Sequence, residues 1–433
     1  MEKTSYFWFR RDLRLNDNTG LNAALQQRKN VQPIFIFDTT ILADLPQDDA
    51  RVSFIWKHLN KINSELQKHG SSLLIKHGKP IDIWQSILES EAVDSVYLNR
   101  DYEPAAIARD KKVKFIVETN GAEFQTFKDH VFFENNEVLK GDDTPYTVFT
   151  PYKNKWLEKY AKTNVTIPKP QPELNQHYAK TSYKTPTLES IGFKTSTLIA
   201  PNYDLNGVDT YDLHRNYPAK DKTTLVGHHL RFGTISVRSL IYYAVPKNKT
   251  YLSEIIWRDF FSQILAHFPN VLEGPFKRKY AGVEWRNDEK EFKLWCEGKT
   301  GYPIVDAGMR QLNETGFMHN RVRMVTASFL IKHLLIDWRW GEAYFAEKLL
   351  DFDLASNNGN WQWAAGTGCD SAPYFRVFNP TLQQERFDKQ GNYIKRWIPD
   401  FDPDNYIDPI VDHKMARVRA IETYKHALQE FGA

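Results

Sequence analysis

The 433-residue sequence predicts an α/β domain with a doubly wound parallel sheet, followed by a long linker and an all-α helical domain. Three observations support this prediction. Short apolar runs alternate with helical patterns over residues 1–130, residues 131–200 are rich in proline, threonine, lysine and tyrosine, and apolar residues recur at helical spacing from about residue 210. We therefore divide the chain into segments 1–130, 131–200 and 201–433.

The predicted strands of the first domain are short runs of β-branched and aromatic residues. They are SYFWF (5–9), VQPIFIFD (31–38), SLLIKH (72–77), SVYLN (95–99) and EFQTF (123–127). Between the second and third runs, residues 51–69 carry apolar side chains at helical steps, and Gly70 is placed to end that helix. Repeated β–α alternation is typical of a parallel sheet with helices on both faces.

The turn after the first predicted strand lacks a dinucleotide-binding motif. Its sequence is RRDLRLNDN (10–18), whereas a dinucleotide's pyrophosphate needs the bare backbone of Gly-x-Gly-x-x-Gly. The first domain therefore binds no dinucleotide, or it binds a ligand by another route.

The composition limits the classes of protein that the sequence can encode. With 57 basic and 54 acidic side chains the formal net charge is only +3, so any nucleic-acid surface has to be a local basic patch. The two cysteines, Cys296 and Cys369, provide neither a disulfide framework nor metal-ligand spacing. The N-terminus lacks the apolar run of a signal peptide, and no stretch approaches the roughly eighteen apolar residues of a membrane span. We therefore expect a cytoplasmic protein with no metal ligands and no membrane segment.

Eight of the twelve tryptophans lie after residue 250, and one of them belongs to an unusual helical face. In SEIIWRDFFSQILAHF (253–268), Glu254, Trp257 and Arg258 share one face of the predicted helix. The face is either solvated, with an intrahelical Glu254–Arg258 pair, or it is a cavity wall with an aromatic platform and a hydrogen-bonding acid. The residues alone leave both interpretations open.

A second helical segment, FMHNRVRMVTASFL (317–330), places Asn320, Arg323 and Met324 on one face, with Arg321 at its side. Asparagine and arginine can contact phosphate oxygens, and arginine can do so with two parallel hydrogen bonds. Ordinary surface polarity explains any one of these residues equally well.

The third segment, LLDFDLASNNGNWQW (349–363), carries Asp353, Asn357 and Trp361 at steps of four. An acid, an amide and an indole on one helical face suit a heteroaromatic ligand with hydrogen-bonding groups along its edge. Trp363 leaves the helix about 200° away from Trp361, on nearly the opposite side. Asn-Asn-Gly-Asn favours helix poorly, so tertiary contacts have to keep these residues helical.

Four segments together resemble the photolyase/cryptochrome family. They are FWFRRDLRLNDN (7–18), EGKTGYPIVDAGMRQL (297–312), MHNRVRM (318–324) and NNGNWQWAAGTGCDSAPYFRVFNP (357–380). The resemblance runs in order through essentially the whole chain, and the last segment is highly specific. Within the family the chain looks most like the class I cyclobutane-pyrimidine-dimer DNA photolyases.

The resemblance implies an N-terminal α/β domain, a long linker and a C-terminal helical domain that holds a U-shaped FAD. It also implies light-driven DNA repair, a carbon–carbon lyase reaction. Light-excited, fully reduced FAD passes an electron to a flipped-out pyrimidine dimer, the cyclobutane ring splits and the electron returns. The missing glycine motif agrees with this expectation, because the flavin is not held by the β-α-β unit.

The resemblance further implies roles around the flavin. Residues expected to hold the FAD phosphates and nearby groups are Tyr211, Thr223, Thr224, Leu225, Val226 and Gly227. Arg323 and Asp351 are expected to pair against the isoalloxazine ring, with Asp353 bonded to the ring edge and Asn357 beside the reactive nitrogen. The usual phosphate segment reads Thr-Ser-x-Leu-Ser, so the glycine at its last position here predicts weaker FAD binding.

Other residues are expected to bind DNA or to carry electrons. By resemblance, Glu254 bonds the base edge of the dimer, Trp257 and Trp363 form its aromatic walls, and Met324 lies close by. The residues expected to contact DNA phosphates are Arg215, Asn320 and Arg321. The residues that match the chain carrying electrons from the surface to the flavin are Trp361, Trp338 and Trp285.

Three alternatives to the repair enzyme stay open. The first is a cryptochrome, a blue-light receptor with the same flavin, although Asn357, Met324 and Trp363 favour repair and no signalling tail is expected after the last helix. The second is a light-independent nucleic-acid-binding module that uses tryptophans as stacking platforms. The third is a helical scaffold with many core aromatics.

A second, light-harvesting chromophore often occupies the N-terminal domain in this family. Glu103 matches an acid that holds a folate in folate-type members, but an acid before a helix is also favoured by the helix dipole. Methenyltetrahydrofolate, a deazaflavin, a second flavin and an empty site therefore all stay open. The expected partner is damaged DNA containing pyrimidine dimers, and we expect a monomer.

Overall fold

A computed structural model of the chain describes residues 3–163, 166–167 and 170–431. The chain divides into two compact units. We call the first the α/β unit; it comprises Met1–Glu137, Glu158–Pro201 and Val226–Pro246. The second, the helical unit, comprises Val138–Leu157, Asn202–Leu225 and Lys247–Ala433.

The α/β unit contains one five-stranded parallel sheet. Its strands are β1 (Thr4–Phe9), β2 (Val31–Asp38), β3 (Leu74–Gly78), β4 (Val93–Asn99) and β5 (Glu123–Phe127). They lie in the order β3-β2-β1-β4-β5, so the connections reverse direction at β1. The predicted strands and the doubly wound parallel sheet are confirmed.

Alternating residues of β1 explain why helices cover both faces of the sheet. Phe7 and Phe9 belong to one apolar core, whereas Tyr6 and Trp8 belong to another, because successive side chains of a strand point to opposite faces. The helices in the first 130 residues are α1 (Thr19–Gln27), α2 (Thr39–Leu42), α3 (Ala50–Gln67), α4 (Pro80–Ser90) and α5 (Pro104–Thr119).

The next helices belong to the middle of the chain. They are α6 (Phe149–Lys162), α7 (Tyr211–His214), α8 (Gly227–Arg231) and α9 (Val237–Ala244). Helix α6 lies inside 131–200, a stretch we expected to be a long surface connection. It forms because Phe149, Tyr152 and Trp156 recur at helical spacing and all three are buried.

The rest of the helical unit consists of ten helical segments. They are α10 (Lys249–His267), α11 (Glu289–Cys296), α12 (Pro303–Thr315), α13 (Asn320–Ser328), a π-helical turn (Phe329–His333), α14 (Trp338–Lys348), α15 (Leu354–Ala365), α16 (Pro380–Phe387), α17 (Asn392–Trp397) and α18 (His413–Phe431). Short 3₁₀ turns, at Pro172–His177, Glu189–Ile191, Val208–Thr210, Pro218–Lys220, Pro269–Leu272 and Arg278–Tyr280, connect longer elements.

The main core of the helical unit lies between α12, α13, α14 and α15. None of the described helices is both long enough and apolar enough to span a membrane. The unit boundaries interleave along the chain, because residues 138–157 pack with the helical unit and 226–246 pack with the α/β unit. The linear boundaries at 130 and 200 stay a prediction.

Candidate cofactor and DNA site

Helix α15 is the centre of the candidate site, and tertiary hydrogen bonds stabilise its unusual polar sequence. Asp353 caps its start by accepting a hydrogen bond from the Ser356 N–H at 3.1 Å, and Gly366 ends it with φ +85°. The buried Asn358 and Gln362 side chains both donate to the Val271 carbonyl, at 3.2 and 2.9 Å. These bonds replace the helix propensity that the residues lack.

Gly359 has a separate role in this helix, since it allows α15 to lie close to α10. A Cβ at this position would stand 2.1 Å from a ring carbon of Phe261. No side chain other than hydrogen fits such a separation without moving the ring. The glycine that weakens the helix locally is therefore required by the packing.

A cavity of about 110 Å³ lies beside α15 in the helical unit; we call it the helical cavity. Eight of the residues predicted from the sequence line it: Asn320, Arg323, Met324, Asp351, Asp353, Asn357, Trp361 and Trp363. The two predicted faces, one on α13 and the other on α15, thus meet around one cavity. Asp351, which lies in the segment just before α15, also lines this cavity.

The predicted ion pair between Arg323 and Asp351 is present at this cavity. Two parallel bonds join the guanidinium to the carboxylate, at 3.1 and 2.8 Å, and both side chains are largely buried. Arg323 Nε also donates to the Met318 carbonyl at 2.7 Å. The arginine is thus held in a fixed orientation by three hydrogen bonds.

Asn357 is oriented by α14. Its side-chain N–H donates to the Glu342 backbone carbonyl at 3.1 Å, and the next residue, Asn358, donates to Glu342 Oε1 at 3.0 Å. Burial raises the pKa of Glu342 to about 7, although the Asn358 bond and the nearby Arg339 oppose this rise. The acid that supports Asn357 therefore titrates near neutral pH.

The two tryptophans that flank Gln362 differ in burial rather than in the cavity they reach. Trp361 is 2% exposed and makes edge contacts with Phe345 and Trp295, at centroid distances of 4.9 and 6.3 Å. Trp363 is half-buried, and both indoles line the helical cavity. Helix geometry makes the two side chains leave the backbone about 200° apart, as expected. Both are nevertheless large enough to reach the helical cavity.

Gly341 lets the Trp361 indole pack against α14. A Cβ on Gly341 would lie 2.1 Å from the Trp361 ring. Trp338, at the start of the same helix, is 1% exposed and belongs to the same core. Trp285 is half-buried at the edge of that core, where its ring meets Tyr424 at a centroid distance of 5.9 Å. Trp361 and Trp338 are thus buried, whereas Trp285 is only half-buried.

Glu254 pairs with Arg215, which lies 39 positions earlier in the chain, at 2.5 Å. This pairing differs from the intrahelical Glu254–Arg258 pair of the solvated-face interpretation, and the Glu254 side chain is half-buried. Burial raises the pKa of Glu254 above its ordinary value, and the Arg215 guanidinium opposes this rise. Neither Glu254 nor Trp257 lines the helical cavity itself.

The predicted phosphate contact Arg321 lies among other arginines. Its guanidinium donates to the Asn216 side chain at 2.7 Å and stands 4.4 Å from the Phe387 ring centroid. Burial and the charges of Arg215, Arg386 and Arg376 lower the pKa of Arg321 from its ordinary value. Four guanidinium groups therefore share one neighbourhood, a basic patch that the net charge conceals.

Two of these arginines were not identified from the sequence. Arg376 lies in the quoted segment 357–380, and Arg386 lies in α16. The only feature of the sequence that could have identified them as DNA contacts was their positive charge in or near that segment. Charge alone did not distinguish them from other surface arginines.

The residues predicted for the FAD phosphates lie away from the lining of the helical cavity. Tyr211 begins α7 and packs edge-on against Tyr251 at 5.1 Å, and the Thr224 hydroxyl lies 3.0 Å from the Tyr251 hydroxyl. Leu225 has φ +52°, a conformation that is rare for a branched residue. Val226 and Gly227 follow in the chain, and Gly227 is the first residue of α8.

Glu103 is engaged in ion pairs inside the α/β unit. Its Oε1 accepts hydrogen bonds from Arg11 at 2.7 Å and from Arg231 at 2.5 Å. It directly precedes α5, but its side chain makes no capping bond to that helix. The carboxylate is thus held by arginines rather than by the helix terminus.

A second, larger cavity of about 350 Å³ lies in the α/β unit; we call it the α/β cavity. It is lined by the loop after β1, by α1 and α3, and by residues 170–178. Its charged lining includes Arg14, Asp17, Lys61 and Glu65. Glu103 does not belong to its lining, whereas residues 13–17 of the quoted segment RRDLRLNDN do.

Comparison with known proteins identifies relatives of the whole chain. The family model described as DNA photolyase matches residues 5–173, and the model described as FAD binding domain of DNA photolyase matches residues 251–403. The chain is 35% identical to the deoxyribodipyrimidine photo-lyase of Escherichia coli (strain K12), over 98% of this chain and 99% of that protein.

Two solved structures are similar to this one over almost their full lengths. A bacterial class III photolyase from Agrobacterium tumefaciens superposes with a TM-score of 0.86 at 33% identity, covering 99% of this chain and 98% of that chain. An archaeal photolyase from Sulfolobus tokodaii, described with two FAD molecules, superposes with a TM-score of 0.81 at 36% identity, covering 98% and 100%.

Proposed function

The chain belongs to the DNA photolyase family, and on that premise we propose that it is a deoxyribodipyrimidine photolyase, an FAD enzyme of light-driven DNA repair. The proposed reaction splits the cyclobutane ring of a pyrimidine dimer in DNA. The observation that carries the proposal is the row Asp353, Asn357 and Trp361, which lines the helical cavity. Such a row would be costly in a dry core but suits a heteroaromatic ligand with a polar edge. The class within the family, expected to be class I, stays a prediction.

The lining of the helical cavity fits the isoalloxazine ring of FAD. The Arg323–Asp351 pair can lie against a polar ring without leaving either charge unpaired. The fixed amide of Asn357 and the carboxylate of Asp353 are proposed to bond the ring edge, with Tyr211 and residues 223–227 holding the phosphates. When bound, FAD supplies absorption of blue or near-UV light and the electron that opens the cyclobutane ring.

The three tryptophans are proposed to deliver electrons to the helical cavity from the protein surface. Trp361 lines the cavity, Trp338 lies in the same core and Trp285 is half-exposed at its edge. This decrease in burial is what a route to the solvent requires. Its function would be to bring the flavin to the reduced state before repair.

The dimer is proposed to be bound by Glu254, Trp257 and Trp363, with Met324 close by. Photolyases act on extruded bases, and extrusion costs a few kcal/mol, less for a damaged base. Stacking on aromatic walls returns about 1–3 kcal/mol per base, which offsets that cost. The carboxylate of Glu254 can then accept a hydrogen bond from the base edge.

The basic patch is proposed to hold the DNA backbone. Arg215, Arg321 and Asn320 are the phosphate contacts expected from the sequence, and Arg376 and Arg386 extend the patch. Phosphate contacts carry no sequence information, so binding should depend on salt and on damage rather than on base sequence.

The direct test is repair of an oligonucleotide with a single thymine dimer, using protein with fully reduced FAD under blue light. We expect dimers to be lost in the light only, while an oligonucleotide with a six-four lesion stays unrepaired. Repair in the dark, or of the six-four lesion alone, would contradict the proposal. A protein that is photoreduced but leaves the dimer intact would favour the cryptochrome alternative.

The α/β cavity supports a second, separate proposal, a site for a light-harvesting chromophore. Its lining combines a loop at the carboxyl end of β1 with charged side chains, and ligands of doubly wound folds bind at carboxyl ends of strands. The Sulfolobus tokodaii relative is described with two FAD molecules, with the implication of a novel light-harvesting cofactor. The absorption spectrum of the denatured, purified protein would reveal whether a folate, a deazaflavin or flavin beyond one equivalent is released.

A further inference from the structure

The strongest aromatic contact of the proposed dimer site involves a residue from the segment that we expected to be a linker. Phe149, the first residue of α6, stacks face to face on Trp257, with ring centroids 3.6 Å apart and planes inclined by only 7°. Phe149 is 6% exposed. The Phe149 ring therefore packs against one face of the Trp257 indole.

Several independent contacts hold Phe149 in this place. Its backbone N–H donates to Asp370 Oδ2 at 2.9 Å, and its ring also meets the edge of Phe260 at 5.8 Å. Two turns further, the Trp156 indole N–H donates to Asp259 Oδ2 at 3.1 Å, and both of these side chains are buried. Helix α6 is thus fastened to α10 at two levels.

Lys153 adds a cation to this aromatic contact. Its ammonium lies over the Phe149 ring, 5.8 Å from the ring centroid. The Lys153 ammonium also acts on Glu254. Like the Arg215 guanidinium, it opposes the rise in the Glu254 pKa that burial causes. The segment from α6 therefore reaches both proposed dimer contacts of α10.

We infer that Phe149 is a positioning residue for damage recognition, which holds the Trp257 indole ready to stack on the dimer, with Lys153 supporting the stack. The inference rests on the proposed function, because it assigns Trp257 to the dimer. Phe149 itself would not touch DNA. Residues 138–157 would then be part of the recognition site rather than a connection.

The physical reason is the entropy of side-chain ordering. An indole that is free to change rotamer has to be immobilised when a base stacks on it, whereas an indole already held by Phe149 does not. Loss of the phenyl ring should therefore weaken binding of the extruded dimer. Binding of undamaged duplex, which uses backbone phosphates, should not change.

The test compares Kd values in the dark for the full-length, FAD-loaded protein. The probes are a duplex with one thymine dimer and the same duplex without damage. Phe149→Leu should raise the Kd for the damaged duplex about 3- to 10-fold and leave the Kd for the undamaged duplex unchanged. Phe149→Tyr, which keeps the ring, should restore discrimination, and FAD content should be unaltered in both variants.

A matched control separates positioning from general loosening of α6. Trp156→Phe removes the hydrogen bond to Asp259 without touching Trp257, so it should lower thermal stability and keep the ratio of the two Kd values. In a Trp257→Ala background, Phe149→Leu should cause no further change in that ratio, because the two residues act as one unit.

The outcomes distinguish the inference from the function on which it rests. A wild-type protein with equal Kd values for both duplexes would overturn the proposed function and the inference with it. A wild-type protein that discriminates, together with a Phe149→Leu variant that discriminates equally well, would overturn the inference alone. An additional effect of Phe149→Leu in the Trp257→Ala background would also overturn it.

Discussion

The helical cavity and the α/β cavity differ in how their linings are distributed along the chain. The helical cavity is lined by residues between 320 and 364, which come from three helices and the residues next to them. The α/β cavity is lined by residues between 13 and 178, which come from three stretches far apart in the chain, 13–25, 58–69 and 170–178. A site built on neighbouring helical turns leaves a periodic pattern in the sequence, whereas a site built from distant segments leaves no such period. We expect flavin chemistry at the helical cavity and light harvesting at the α/β cavity, and variants in each cavity can test this division.

The largest effect is expected from Trp361→Phe in the helical cavity. If Trp361 is the tryptophan that delivers electrons, the variant should lose photoreduction of oxidised flavin, because phenylalanine is much harder to oxidise. Repair by chemically reduced protein should remain. Absorbance during illumination measures photoreduction, and loss of dimers measures repair. Equal loss of both would show that Trp361 acts through structure instead.

Glu342, whose backbone carbonyl supports Asn357, should make its own contribution to the pH dependence of stability. Its pKa in the folded protein is about 7, above the ordinary value of 4.5. Between these values Glu342 ionises in the unfolded chain while it stays protonated in the folded one, so its contribution to the free energy of unfolding should fall as pH rises from 4.5 to above 7. The difference corresponds to at most about 3 kcal/mol.

The variant Glu342→Gln checks this prediction, since glutamine can keep the bond from Asn358. Chemical unfolding should show the variant more stable than the wild type at pH 8 and similar to it at pH 5. Glu347→Gln, an exposed acid on the same helix, is the matched control and should not change the pH dependence. Parallel profiles for wild type and Glu342→Gln would contradict the raised pKa.

Trp363→Ala tests the DNA side of the helical cavity. Loss of one stacking wall should cost about 1–3 kcal/mol, which is roughly 5- to 150-fold in Kd for dimer-containing DNA. The Kd for undamaged DNA should change little, and the difference should persist across salt concentrations. Equal weakening for both DNAs would remove Trp363 from the dimer site.

The smallest effect is expected from filling the α/β cavity. Asn22→Trp places an indole in its lining and should exclude a second chromophore. FAD content and repair under saturating light should stay unchanged, while repair under limiting light should fall by the share of light that the second chromophore absorbs. Loss of FAD in this variant would mean that the two cavities are not independent.

Local patterns predicted much of the fold and part of the site. The strands of the α/β unit were predicted because β-branched and aromatic runs identify them without reference to other segments. The row Asp353, Asn357 and Trp361 was predicted because helical spacing alone places these residues on one face. Their roles toward FAD and DNA stay predictions.

Other features could not be predicted because their partners are distant in the chain. Helical spacing offered Arg258 as one possible partner of Glu254, but packing of the helical unit brings Arg215 to α10, where it pairs with Glu254. Helix α6 was missed because proline- and lysine-rich sequence surrounds its three buried aromatic residues. The contact between Gly359 and Phe261 likewise exists only after two helices have packed.

The sequence by itself determined which residues share a strand or a helical face, because the periods of strand and helix follow from covalent geometry. That information was enough to predict the doubly wound sheet and the polar row of α15. Only the tertiary structure decided which faces meet around a cavity, which acid pairs with which arginine, and that Phe149 backs Trp257. These depend on contacts between segments far apart in the chain, which are selected by the packing of the whole unit and not by any one segment.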